Sequence, residues 1–209
     1  MKARKRLTRE ESKELTRMRL IDAAEALFVR KGFDGTSVEE ISGMAGYTRG
    51  AFYSNFTDKD QVFLAVIDRR HRQALEEIVQ RTSEPAEPNA AFREWFSEQW
   101  RRRDLVALRM EFSRRAFLDQ SARKHRAELR RRELETYCAS VSRYLGSTDG
   151  APRTRPEIVA LVLLAAVTGL GLLALDTDSE WEHMYTDAAI LAFDRMTTFQ
   201  LSQLGQLQC

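Results

Sequence analysis

The chain contains few of the residues that interrupt helices or build a covalent framework. Its 209 residues include ten glycines, four prolines and two cysteines. The scarcity of glycine and proline favours long helices over many short strands and turns. Cys138 and Cys209 have no spacing typical of a metal or redox site, and no secretory signal peptide is recognisable. The sequence therefore predicts a cytoplasmic protein in a reducing compartment, with no bound metal.

Signatures of catalysis are also missing. His71, His125 and His183 are far apart in the sequence and lie near no repeated carboxylate or cysteine spacing. The chain has no nucleophile motif and no phosphate-binding glycine loop. We therefore expect a protein that is not an enzyme and needs no cofactor.

A strong net charge is absent as well, since the chain carries a formal charge of only +2. This value does not by itself indicate binding to nucleic acid. The placement of the charge is more informative, because five basic residues crowd the N-terminus: Lys2, Arg4, Lys5, Arg6 and Arg9. Such an arm binds phosphate in some proteins and is a solvated terminus in others, and both interpretations stay open.

What the sequence does have is a series of amphipathic helices. In residues 11–31 apolar side chains recur at steps of three, four and one, which predicts a helix with one buried stripe. Gly32 supplies the left-handed residue that commonly closes a helix. Helical periodicity continues through residues 58–81, 92–103, 105–117, 134–145, 158–175 and 181–199. The predicted fold class is all-α.

Residues 36–59 have the pattern of two short helices joined by a tight turn. The first helix can begin with either of two capping boxes, Thr36 with Glu39 or Ser37 with Glu40. Gly46 ends this helix, and Thr48 can cap the next one, which is predicted over residues 49–56.

The second of these helices has one apolar and one polar face. Phe52 and Phe56 lie four residues apart and are expected to face inward, while Arg49, Gly50, Tyr53 and Ser54 fall toward solvent. A helix-turn-helix that enters a DNA groove needs this polar outer face and a glycine in the turn. A glycine inside a helix costs about 1 kcal/mol relative to alanine, so Gly50 indicates close approach to a partner. A surface helical hairpin without a partner is the alternative.

The run KGFDGTSVEEISGMAGYTRGAFYSNFTDK and the residues after it resemble the DNA-binding segment of TetR-family transcriptional regulators. The resemblance covers about residues 17–67. It implies that Arg49, Gly50, Tyr53 and Asn55 contact DNA and that Thr36 and Lys59 bind phosphates. The full set of candidate DNA-binding residues is Thr36, Ser37, Tyr47, Thr48, Arg49, Gly50, Ala51, Tyr53, Ser54, Asn55 and Lys59.

Three residues depart from the family pattern. Tyr47 is larger than the usual aliphatic residue, Ala51 replaces a common polar residue, and Asn55 replaces a common histidine. The departures concern which operator sequence is recognised. They do not concern DNA binding itself.

The remaining chain is predicted to form a connecting helix and a larger helical domain. The predicted divisions are 1–60 for the DNA-binding domain, 61–82 for the connecting helix, and 83–209 for effector binding and dimerisation. Aromatic stripes are more often core than pocket. The resemblance nevertheless implies a small-molecule effector, which we expect to be largely apolar. The candidate lining residues are Trp95, Trp100, Phe112, Phe117 and Tyr137.

Residues 158–175 are the most apolar stretch, long enough to reach the lower limit for a membrane span. An amphipathic pattern follows them, which favours a buried helix at a subunit interface and no membrane insertion. The resemblance implies that the two C-terminal helices pair with those of a second copy. The candidate interface residues are Leu164, Val167, Gly171, Met184, Ala188 and Leu191.

The resemblance implies a homodimeric repressor that a small molecule releases from double-stranded operator DNA. An activator or a ligand-independent repressor of the same fold is one alternative. A membrane-attached adaptor that uses residues 158–175 is another.

Overall fold

The computed structural model describes residues 8–83, 94–95, 98, 102–146, 155–173, 184–185, 187–188 and 190–191. All the regular secondary structure in these ranges is helical, which confirms the all-α prediction. The helices are α1 (Arg9–Lys31), α2 (Val38–Met44), α3 (Arg49–Tyr53), α4 (Lys59–Ser83), α5 (Arg103–Leu118), α6 (Gln120–Gly146) and α7 (Pro156–Leu173).

The chain divides into two compact units. Unit 1 comprises Met1–Arg70 together with Ala107–Arg114, and unit 2 comprises His71–Val106 together with Arg115–Cys209. Both α4 and α5 therefore contribute residues to each unit. The predicted functional divisions at residues 60 and 82 stay predictions.

Helix α1 begins and ends where its terminal residues satisfy the backbone. The Thr8 hydroxyl accepts a hydrogen bond from the Glu11 amide, and the Glu11 carboxylate accepts one from the Thr8 amide, which forms a capping box. At the other end Gly32 has a φ of 73°, and its amide donates to the Phe28 carbonyl at 2.9 Å. The positive φ of Gly32, which glycine adopts without steric cost, lets the chain leave the helix here.

Three phenylalanines form the centre of unit 1. The ring centroids of Phe28 and Phe33 are 5.6 Å apart, and the Phe63 ring lies edge-on to them at 5.2 and 5.1 Å. None of the three is more than 5% exposed. Each buried ring contributes about 1.5–3 kcal/mol of hydrophobic stabilisation. The cluster joins α1, the loop after it and α4.

Ion pairs fix α4 against α1 beside this cluster. The Arg69 guanidinium lies 2.5 Å from the Asp22 carboxylate. Both Arg69 and Arg70 also pair with Glu25, which is only 8% exposed. A carboxylate that is buried to this degree is tolerated because cations surround it.

Unit 2 is built around the contact between α6 and α7. Its core contains Ile78, Trp95, Tyr137, Val141, Val159, Ala160, Leu163, Leu164, Val167 and Ile190. The rings of Trp95 and Tyr137 meet edge to face, with centroids 6.0 Å apart. The apolar run predicted from the sequence therefore packs one of its faces inside unit 2.

Helix α7 also leaves apolar side chains on its other face. Its mean hydropathy is 2.2 and its length is 18 residues, so within the described ranges it is the one helix that could cross a membrane by length and composition. A third of the helix is buried in unit 2. Core helices of soluble proteins have the same properties, so this finding is weak support for a membrane span. The exposed apolar residues on α7 are Ile158, Leu161, Val162, Leu172 and Leu173.

Candidate nucleic-acid interface

Helix α2 begins with the second of the two capping boxes that the sequence allowed. The Ser37 hydroxyl accepts a hydrogen bond from the Glu40 amide at 3.2 Å, and the Glu40 carboxylate accepts one from the Ser37 amide at 3.0 Å. Glu40 also pairs with Lys31 at the end of α1. The hydrogen bond from Lys31, followed by that from the Ser37 amide, lowers the pKa of Glu40 to about 2. This carboxylate therefore joins the ends of two helices.

The turn between α2 and α3 depends on a glycine. Gly46 has a φ of 76°, a left-handed conformation that side chains with a Cβ rarely adopt. The next amide, of Tyr47, donates back to the Ser42 carbonyl at 2.8 Å. This closed turn sets the direction in which α3 leaves α2.

Helix α3 places its apolar residues in unit 1 and its polar residues on the outside, as predicted from its periodicity. Thr48 caps it by accepting a hydrogen bond from the Ala51 amide at 3.3 Å. Phe52 is 0% exposed and Phe56 is 1% exposed. The exposed residues on and just after the helix are Arg49, Gly50, Tyr53 and Ser54. The polar face of α3 is therefore exposed to solvent, and buried aromatic residues anchor its opposite face.

Helix α3 ends at Tyr53, three residues before the predicted end. The Asn55 amide donates to the Phe52 carbonyl at 2.8 Å, which tightens the last turn. The Asn55 side chain also donates to the Ala51 carbonyl at 2.8 Å. Such local bonds from an asparagine compete with the helical pattern, and apolar periodicity does not reveal them.

Arg49 lies at the start of α3 with an acidic partner. Its Nη1 is 2.9 Å from Oε1 of Glu39, and both side chains are more than half exposed. The guanidinium carbon is 5.9 Å from the centroid of the Tyr53 ring. A hydrogen bond with Tyr53 and then the charge of Glu39 raise the pKa of Arg49. Like any arginine it is a cation, and it lies on the outer face of the helix-turn-helix.

Two predicted phosphate ligands have structural partners in the isolated chain. Thr36 is 2% exposed, and its hydroxyl donates to the Gly32 carbonyl at 2.8 Å. The Lys59 ammonium donates to the carbonyls of Phe33 and Thr36, each at 2.8 Å, and lies 4.2 Å from the centroid of the Phe33 ring. An ammonium has three N–H donors, so Lys59 keeps one for a further acceptor. Their binding to phosphate stays a prediction.

Tyr47 and Asn55 are held by α1. A hydrogen bond with Thr16, together with the nearby Arg19 cation, lowers the pKa of the Tyr47 phenol. Arg17 donates to the Asn55 carbonyl at 3.1 Å and stacks over the Phe56 ring at 4.3 Å. Sequence reasoning missed Arg17, because only its spatial position next to the end of α3 connects it to the site.

A cleft of about 340 Å³ opens beside this contact. It is lined by Glu10, Lys13, Glu14, Arg17 and Asn55. The Asn55 Oδ1 atom is buried and has no hydrogen-bond partner. Acidic and basic side chains are mixed in the lining, so the cleft does not select a ligand of one charge.

The predicted effector-lining residues do not all share one environment. Trp95 and Tyr137 are in contact inside unit 2, as described above. Phe112 belongs to unit 1, where its ring centroid lies 6.4 Å from that of Phe63. Phe117 is 79% exposed, and Trp100 lies outside the described residues. An effector site at these residues stays a prediction.

The predicted interface residues fall into two groups. Leu164, Val167 and Gly171 are buried within the chain itself. Met184, Ala188 and Leu191 are exposed.

Among the residues that the structure describes, no group of three or more histidine, cysteine, aspartate or glutamate side chains could hold a metal ion.

The helix-turn-helix segment matches a known protein family. Residues 20–66 match the family described as bacterial regulatory proteins, tetR family. The HTH-type transcriptional regulator TtgR of Pseudomonas putida is 41% identical over 66 residues, which are 32% of this chain and 31% of TtgR. The chain thus spans about a third of the length of this curated relative.

Solved structures match over most of the chain. A TetR-family transcriptional regulator from Mesorhizobium loti superposes with a TM-score of 0.73 at 24% identity, covering 90% of this chain and 97% of that one. SmeT, the repressor of the Stenotrophomonas maltophilia multidrug efflux pump SmeDEF, superposes with a TM-score of 0.60 at 26% identity. That match covers 84% of this chain and 89% of SmeT.

Proposed function

We propose that this chain, which belongs to the TetR family of bacterial regulatory proteins, is a cytoplasmic, homodimeric repressor that a small molecule releases from its operator. The observation that carries DNA binding is the exposed polar face of α3. Arg49, Gly50, Tyr53 and Ser54 lie on that face, and Phe52 and Phe56 fix the helix from behind. Burial of both phenylalanines determines which face of α3 is exposed.

In this proposal α3 enters the major groove of double-stranded DNA. Arg49 can bind a guanine edge or a phosphate through two N–H groups, and the methyl group of Ala51 can contact thymine. The Tyr53 hydroxyl, the remaining N–H of Lys59 and the exposed start of α3 are suited to phosphates. Contacts to bases would select the operator, and contacts to phosphates would set the register.

A homodimer supplies the second recognition helix. Two such helices reach successive major grooves when they stand roughly 34–36 Å apart. The exposed apolar residues of α7, together with the exposed Met184 and Leu191, support a self-complementary interface on the C-terminal helices. In the family this pairing forms a four-helix bundle.

Release by an effector is supported by the aromatic contact in unit 2 and by the relatives. SmeT has been solved in a complex with triclosan, and SmeT is the repressor of an efflux pump. By analogy a largely apolar molecule would bind near Trp95 and Tyr137. A ligand that favours the DNA-free conformation lowers DNA affinity, and by linkage DNA lowers the affinity for that ligand.

The test begins with selection of a duplex from a random pool by the purified protein. Fluorescence anisotropy then compares the selected duplex with a scrambled one. We expect the wild type to prefer the selected duplex and Arg49→Ala to lose most of the preference. Arg131→Ala is the matched control, because Arg131 is an exposed arginine of α6 paired with Glu128 and Glu135.

Failure of the wild type to select any sequence would overturn the proposed function. An equal loss of preference in the Arg49 and Arg131 variants would mean that α3 is not the recognition helix. Titration of triclosan into the protein–DNA complex tests effector release, since triclosan is the molecule bound by a structural relative.

A further inference from the structure

Two adjacent glutamates in the first turn of α2 have different partners. Glu40 is bound internally, by Lys31 and by the Ser37 amide. Glu39 instead faces α3, where its Oε1 lies 2.9 Å from Nη1 of Arg49. The capping box and the ion pair with Lys31 therefore depend on Glu40, and Glu39 takes part in neither.

Stability is a poor explanation for the pair between Glu39 and Arg49. Their side chains are 56% and 61% exposed. Exposed ion pairs contribute little to stability because solvent screens them and because two long side chains must be ordered. The negative charge of Glu39 interacts favourably with the N-terminus of α2, but this interaction does not require a pair with Arg49.

The pair has a larger consequence for DNA, since Glu39 is a negative charge beside the proposed recognition arginine. Non-specific binding comes almost entirely from cations that neutralise phosphates. A carboxylate beside Arg49 cancels part of its charge and repels the phosphate that Arg49 would approach. Contact with a base edge depends more on geometry than on net charge.

The same carboxylate also orients the arginine. The ion pair holds Nη1 of Arg49 2.9 Å from Oε1 of Glu39, on the outer face of the helix-turn-helix. Holding that nitrogen restricts the rotamers of a long side chain that otherwise samples many. A guanidinium ordered before binding loses less entropy when it meets a guanine edge.

We propose that Glu39 determines specificity by orienting Arg49 for a base edge and by penalising its use on phosphate. The inference rests on the proposed function, because it requires that α3 bind DNA. Glu39→Gln separates charge from shape, since glutamine has nearly the same size and shape as glutamate but no charge. In the Gln variant the repulsion of phosphate and the ion pair that orients Arg49 are both removed.

The experiment measures wild type and Glu39→Gln on two probes, a duplex selected by the wild type and a scrambled duplex of the same composition. We expect affinity for the scrambled duplex to rise about three- to tenfold and its salt slope to steepen by up to about 0.9. Affinity for the selected duplex should change less, so the ratio of the two affinities should fall.

Two controls make the result specific. Glu76→Gln removes the same charge from an exposed residue in unit 2 and should leave the ratio unchanged. In an Arg49→Ala background, Glu39→Gln should no longer raise the affinity for the scrambled duplex relative to Arg49→Ala alone, because the residue it acts through is gone. A change that persists without Arg49 would overturn the proposal.

The outcomes also separate this proposal from the function on which it rests. A wild type that binds neither duplex overturns the proposed function and this inference with it. A wild type that prefers its selected duplex, with an unchanged ratio in Glu39→Gln, overturns the inference alone. A parallel rise on both duplexes would mean that Glu39 acts only as a distant charge, and this also contradicts the proposal.

Discussion

Gly50 is in the first turn of α3, where the fold itself does not require a glycine. A Cβ added there would meet only the Thr48 hydroxyl oxygen, at 3.6 Å, which is an ordinary contact. The backbone of Gly50 also lacks the positive φ that Gly32 and Gly46 adopt. Nothing among the described residues requires a glycine at this position, and close approach to DNA is the reason that the proposed function supplies.

Replacing Gly50 by alanine should therefore separate binding from folding. We expect Gly50→Ala to keep or raise the free energy of unfolding by up to about 1 kcal/mol, because alanine favours the helix. Affinity for the selected duplex should fall at the same time, since the methyl group would meet the DNA backbone. Urea denaturation and fluorescence anisotropy measure the two effects. A variant that binds with unchanged affinity would remove the case for close approach.

The backbone contacts of the Lys59 and Thr36 side chains could not be predicted from the sequence. The resemblance implies that both bind phosphate, but in the isolated chain each side chain is held by backbone carbonyls of unit 1. The two carbonyls that accept from Lys59 are 26 and 23 residues away in sequence. No local pattern shows that they lie within reach of one ammonium. By contrast, the outward face of α3 follows from periodicity alone, and the structure places its residues as expected.

The pattern of apolar residues predicts the approximate extent of each helix well, but it predicts the exact first and last residues less well. The predicted start of α1 at residue 11 is two residues from the observed Arg9. Buried stripes extend over many residues, so they are visible in sequence. Ends depend on single hydrogen bonds, such as those of Asn55 after α3 and of Ser37 before α2. The capping alternatives at Thr36 and Ser37 could be resolved only by the structure, in which Thr36 is buried.

The turn between α2 and α3 should be sensitive to a Cβ at Gly46. We expect Gly46→Ala to cost about 1–2 kcal/mol of stability, because a left-handed backbone brings Cβ close to the next carbonyl. Gly43→Ala is the matched control. Apart from the adjacent residues in the chain, an added Cβ meets nothing within 4 Å at either position, and Gly43 lacks the positive φ. Urea denaturation compares the two variants. Equal stabilities would mean that the turn relaxes to accommodate alanine.

The start of α2 should also make stability depend on pH. The pKa of Glu40 is lowered from 4.5 to about 2 in the folded chain. A depressed pKa stabilises the fold above the unfolded value, and this stabilisation is lost as pH falls through the folded value. The difference in unfolding free energy between wild type and Glu40→Gln should thus be constant above pH 4.5 and shrink toward pH 2.

Glu76→Gln is a suitable control for that experiment, because Glu76 is an exposed glutamate in α4. Because its side chain is exposed, Glu76→Gln should change the free energy of unfolding little at pH 7. Urea denaturation at pH 7, 5 and 3 provides the measurement. A Glu40→Gln difference that did not change between pH 5 and pH 3 would contradict the role assigned to the Lys31 pair.

For the whole molecule, the two faces of α7 have different neighbours. Leu163 and Leu164 are 5% and 2% exposed and pack in the core of unit 2, whereas Leu161 is 56% exposed. A face that leaves several large apolar residues in water is typical of a surface that a partner covers. The proposed dimer supplies that partner as a second copy of the same helix.

Leu161→Glu tests this dimer directly. A carboxylate buried at the centre of an apolar interface loses its hydration without gaining a partner, so we expect the variant to be a monomer. Helix content by circular dichroism should be unchanged, because Leu161 is outside the core of its own chain. Leu118→Glu is the control, since Leu118 is 71% exposed at the end of α5 and should leave the dimer intact.

Dimerisation and DNA binding should fail together. A monomer presents one recognition helix and loses the effective concentration that links two half-sites, which is worth on the order of 100-fold or more in affinity. Light scattering coupled to size-exclusion chromatography would report the mass, and anisotropy on the selected duplex would report the affinity. A dimeric Leu161→Glu variant would place the interface away from this face of α7. A monomeric variant with full affinity would instead mean that one α3 is sufficient for recognition.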